Sequence, residues 1–105
     1  MSKFTRQSRG FISLLLSTTK AQSKALIYTI TPEQATALCE IFLNIDSLSL
    51  NSKQLEAVRK YSSLIKKLTN PNLSLPKRQT NIQNYHLQVI NCLSVIKSQV
   101  KKHLL

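Results

Sequence analysis

Apolar residues in this chain recur at three- and four-residue steps, the period of a helix with one face on a core. The clearest stretch is central: Ala35, Leu38, Cys39, Phe42 and Ile45 keep that spacing, and Ile41 and Leu43 widen the apolar face. A helix over 32–45 surrounded on most sides is the expectation. Its start is marked by Thr31-Pro32-Glu33-Gln34. Threonine caps, proline suits the first helical position, Glu33 complements the dipole, and Gln34 reaches back to the N–H of the cap. Asp46–Leu50 reads as a connection, and Asn51-Ser52-Lys53-Gln54 as a second cap. The helix behind it is expected to reach Leu68, with Leu55, Val58, Tyr61, Ile65 and Leu68 inward and Leu64 out of place. Asn70-Pro71-Asn72 is a turn.

The flanks are less regular. Residues 11–17 (FISLLLS) form a short apolar helix, and 19–29 a second short helical pattern with Ala21, Ala25, Leu26 and Tyr28. Residues 74–79 restart the chain as a helical turn, which the polar run 80–84 would break. A final helix from Tyr85 places Leu87, Ile90, Leu93, Ile96, Val100 and Leu104 on one face. Residues 1–10 read as a basic, flexible arm, and 11–105 as a single helical domain. The expected fold is all-α, an irregular bundle of four to six helices.

Composition supports that reading. In 105 residues there are one glycine and three prolines, few breakers for a chain of many short strands. Hydrophobic residues reach 42%, too many for a disordered polycation. The longest apolar stretch is far below the roughly 18 residues of a membrane span, and Phe11–Leu16 is short for the hydrophobic segment of a secretory leader. Residues 1–32 nevertheless hold five cations (Lys3, Arg6, Arg9, Lys20, Lys24), no acid and many hydroxyls. That is the composition of a mitochondrial transit peptide, which keeps a mitochondrial alternative open.

Charge changes the picture most. Fifteen Lys and Arg face four acids, a net +11. Three acids (Glu33, Glu40, Asp46) lie in the central helix and its exit, and Glu56 is the only acid after position 46. Positions 53–78 carry seven cations: Lys53, Arg59, Lys60, Lys66, Lys67, Lys77 and Arg78. On a continuous helix the first five gather opposite the apolar stripe. Like charges on one face repel, so an external polyanion is the simplest compensation, through phosphate contacts that read no base. These seven are the candidate nucleic-acid-binding residues, with double-stranded DNA as partner.

Candidates for other chemistry are weak. Glu33 and Glu40 could share a helix face, but Glu33 serves the helix start. Cys39, Cys92, His86 and His103 show no metal-ligand spacing, and the cysteines are expected to be buried reduced thiols. No phosphate-cradling glycine loop exists, since Gly10 stands alone. No enzyme, cofactor or metal is expected.

One stretch, 25–78, resembles a known family: the small basic core-like proteins of Polinton-type DNA elements and adintoviruses. The elements that carry it are Lys24-Ala25-Leu26, then Gln34-Ala35-Thr36-Ala37-Leu38-Cys39-Glu40-Ile41 and Asn44-Ile45. Leu48-Ser49-Leu50-Asn51, the Arg59-Lys60 and Lys66-Lys67-Leu68 helix, and Ser74-Leu75-Pro76-Lys77-Arg78 follow in the family's order. The likeness of those proteins to adenovirus core proteins implies packaging of DNA in a virion, or action on DNA in the host nucleus, and implies no catalytic residue. This chain departs in having a less basic central helix. It also has the helix 85–105 where the family has a glycine-rich apolar segment. Those departures favour an alternative, a helical interaction module that docks a capsid or other protein through its last helix.

Overall fold

Helix starts are set locally by reciprocal caps. In the computed structural model, which describes residues 3–105, Thr31 and Asn51 both form the expected boxes. Gln34 N–H donates to Thr31 Oγ1 at 3.1 Å, and Thr31 N–H donates to Gln34 Oε1 at 3.0 Å. The Asn51–Gln54 pair repeats this at 2.8 and 3.0 Å. A third box, Thr19–Gln22, escaped the sequence reading although it has the same Thr-x-x-Gln form. Each box satisfies two N–H groups that a helix start would otherwise leave unpaired.

The caps and breaks divide the described residues into eight α-helices. They are α1 (Lys3–Gln7), α2 (Arg9–Ser17), α3 (Lys20–Tyr28), α4 (Pro32–Leu43), α5 (Ser52–Arg59), α6 (Ser62–Leu68), α7 (Leu75–Asn84) and α8 (His86–Leu104). A 3₁₀ turn, Ile45–Leu48, follows α4, and Ser49 closes it in the left-handed region at φ 55°. The protein is the all-α bundle expected. Its radius of gyration, 12.4 Å, is close to the ~13 Å of a folded chain this long.

Helix α4 is the axis of the bundle. Ala35, Thr36, Ala37, Leu38, Cys39, Ile41 and Phe42 are all buried, and α1, α6 and α7 pack around it. The long α8 is the second axis, meeting α2, α3, α5 and α7 through Val89, Ile90, Cys92, Leu93, Ile96 and Val100. Its apolar face therefore lies in the core, not on a partner. Leu87 is the exception at 59% exposed. It stands about 180° round the helix from Ile96.

The structure corrects the sequence reading at four further points. Residues 3–7 and 9–10 are helical and joined by a turn at Ser8, not a flexible arm: Thr5 and Ser8 are buried, Phe4 packs on the core, and Thr5 Oγ1 donates to Glu40 Oε2 at 2.8 Å. Met1 and Ser2 lie outside the described residues. The expected helix 52–68 is broken at Lys60-Tyr61, where both N–H groups bond three residues back, to Ala57 and Val58. That tighter turn rotates everything after it, which brings the misfit Leu64 into the core. Leu55, expected inside, is exposed. The run 80–84 does not break α7, because Ile82 is fully buried and anchors it.

Candidate nucleic-acid interface

The break in the expected basic helix decides how its cations are presented. Lys53 stands in the first turn of α5, and Arg59 and Lys60 end that helix. All three side chains are exposed. A cation in a first turn opposes the helix dipole, so the fold itself does nothing to hold Lys53. Glu56 precedes Arg59 by three residues and Lys60 by four, a spacing that places the carboxylate beside both cations on the helix surface. Beyond the break, Lys66 and Lys67 project from α6. Lys66 is exposed. Lys67 is engaged: its Nζ donates to Tyr85 Oη at 3.0 Å and lies 4.9 Å from the centre of the Tyr85 ring. This contact pins α6 to the junction of α7 and α8.

Lys77 is exposed in the first turn of α7. Its neighbour Arg78 is half-buried. Residue 78 shares a helix face with the buried Ile82 four positions on, so its side chain turns toward α4. There it lines a crevice with Cys39, Glu40, Leu43, Leu68, Thr69 and Pro71. The Arg78 Nε is buried with no acceptor among the described residues. The seven candidates thus separate into five exposed cations (Lys53, Arg59, Lys60, Lys66, Lys77), a sixth exposed cation, Lys67, bound to a tyrosine, and Arg78, half-buried and turned inward.

The arrangement of acids is as informative as that of the cations. Glu33 and Glu40 lie on α4, Asp46 in the 3₁₀ turn and Glu56 on α5. Helices α2, α3, α7 and α8 contain no acid. The sequence reading missed what this leaves on α3 and α8: Lys20, Lys24, Lys97 and Lys101, all exposed. Each pair is spaced by four, a signal visible in the sequence, but only the packing of α3 on α8 brings Lys20 and Lys97 together.

Other chemistry finds little support in the geometry. Among the described residues no three His, Cys, Asp or Glu side chains come together as a metal site, and no helix is long and apolar enough to cross a membrane. Cys39 and Cys92 are free, buried thiols. Burial pushes both up to about 11 from 9.0. At Cys39 the Arg78 guanidinium pulls the other way and the Glu40 carboxylate reinforces the rise. Both thiols are therefore protonated and poor nucleophiles in the fold. Native protein at pH 8 should react with a thiol reagent far more slowly than urea-unfolded protein, with both cysteines protected. The folded state disfavours the thiolate, so this contribution to stability is intact below pH 9 and declines as pH rises toward 11. Urea midpoints measured at pH 8, 9, 10 and 11 check the sign.

Compared with protein-family models, curated proteins and solved structures, the chain matches none.

Proposed function

We propose that the protein is a non-enzymatic, sequence-independent DNA-binding protein that grips the phosphate backbone. The observation that carries this reading is the set of exposed cations on α5, α6 and α7, three helices whose only acid is Glu56. A net +11 held on a folded scaffold, not on a tail, repels itself unless a polyanion covers it. The helix starts do not favour base reading. Gln34 and Gln54 are both used in their caps, and Gln54 also donates to the Val95 carbonyl at 3.2 Å. With five exposed cations as phosphate ligands, log K for duplex DNA should fall against log salt with a slope of about −4.5. Gel-shift titrations on two unrelated duplexes at several salt concentrations test this. No binding at low salt refutes the reading, and a strong preference for one duplex refutes sequence independence.

A role in the virion core of a virus-like element, or on DNA in the host nucleus, follows from the resemblance over residues 25–78. The interaction-module alternative has to use another surface than the apolar face of α8, which is buried. The mitochondrial alternative meets a related difficulty: Ile12, Leu15, Leu16, Ile27 and Ile30 are core residues, so cleavage near residues 20–30 would remove part of the fold.

A further inference from the structure

The acid-free side of the bundle carries its own line of cations. Lys20 and Lys97 come from different helices yet line one crevice of about 70 Å³, with Thr18, Ser23 and Ser94 as its polar floor. The hydroxyls of Thr18 and Ser23 hydrogen-bond each other at 2.9 Å and both lie within reach of the Leu15 carbonyl, and Ser94 donates to the Ile90 carbonyl. The ammonium groups are therefore the side-chain donors left for an anion. Lys24 lines a second hollow, with Asn84 at the end of α7 and His86 at the start of α8. Helix α3 thus runs counter to α8, and Lys101 continues the line one turn past Lys97. The order is Lys24, then Lys20 beside Lys97, then Lys101. Steps of four residues along a helix are about 6 Å, near twice the 3.4 Å axial repeat of phosphates along one DNA strand.

This line does not lie on the side of α8 that holds α5. Helix α5 is fastened there by Gln54 on the Val95 carbonyl, and Lys97 stands about 160° round the axis from Val95. We infer that the Lys20–Lys24–Lys97–Lys101 strip is a second phosphate-binding face, across α8 from the cations of α5, so that one chain holds two DNA duplexes at once. The inference rests on the DNA-binding reading and adds bridging to it. Its recognition chemistry is the phosphodiester backbone, through ammonium groups alone.

The test is a two-duplex capture assay with the full chain: one duplex on beads, a second labelled duplex in solution, at low salt. Wild-type protein should retain the second duplex. K20Q/K24Q/K97Q/K101Q changes only exposed side chains and should keep its circular dichroism spectrum and still shift a single duplex. Its retention of the second duplex should fall at least about tenfold, because four phosphate ligands are lost from that face. K53Q/R59Q/K60Q/K66Q/K77Q, which removes five exposed cations of α5, α6 and α7, should lose retention in the same way while binding one duplex through the strip. Retention by the strip variant at the wild-type level overturns the inference, as does single-duplex binding without bridging in the wild type. A free chain that light scattering shows to be a dimer, and that the strip variant turns into a monomer, also overturns it, since pairing of copies would then do the bridging. Failure of the wild type to shift any duplex refutes the DNA-binding reading itself.

Discussion

A chain cut at Tyr85 should lose its cooperative fold. Helix α8 supplies Val89, Ile90, Leu93, Ile96 and Val100 to the core, with Cys92. Five buried aliphatic side chains at about 1.5–3 kcal/mol each come to roughly 8–15 kcal/mol. That matches the whole stability of a small domain, about 5–15 kcal/mol. Removing the helix also uncovers what it covers: α2, α3 and α5 all pack on it, and Leu15, Leu16, Leu93 and Ile90 share one crevice wall. Circular dichroism should show reduced helix, with no sigmoidal thermal transition and strong binding of an apolar dye. A truncated chain that still unfolds cooperatively would contradict the central place given to α8, and would return that helix to the role of a partner-binding segment.

Substitution of Phe42 by Ala should cost about 3–5 kcal/mol, whereas Leu43→Ala beside it should stay within about 0.5 kcal/mol. The residues adjoin on α4 but differ in surroundings: Phe42 is 1% exposed and Leu43 62%. Phe42 is among the largest fully buried side chains. Truncation there opens a cavity that α1, α6 and α7, packed around the same helix, cannot all close. Urea midpoints of the two variants measure the contrast. Equal midpoints would mean that α4 is not the centre of the core.

Helices were legible where caps and period agree. Thr31, Pro32 and Gln34 start α4, Asn51 and Gln54 start α5, and both boxes form. These signals act within four residues of chain, so no tertiary contact is needed to read them. The N-terminal helix was not legible. Lys3–Gln7 has a polar, basic sequence, and it is held by Phe4 on the core and by Thr5 on Glu40, a bond across 35 residues. The break at Lys60-Tyr61 was equally hidden, although Leu64 pointed to it. A residue that refuses the phase of a helix marks the place where the helix turns tighter.

The candidate interface divides along the same line. The count of cations, the scarcity of acids and their crowding near α4 are properties of the sequence, because charge follows from residue type. Which cations remain free for a ligand is a property of packing. Lys67 is captured by Tyr85 across 18 residues. Arg78 turns inward because Ile82, on its own face, is buried. Lys20 and Lys97 meet only because α3 lies against α8. Helical periodicity relates residues within one segment, and electrostatic pairing in a bundle acts between segments. The fold class and the sign of the surface could thus be read from the chain, while the faces on which the charge is displayed were decided by the tertiary structure.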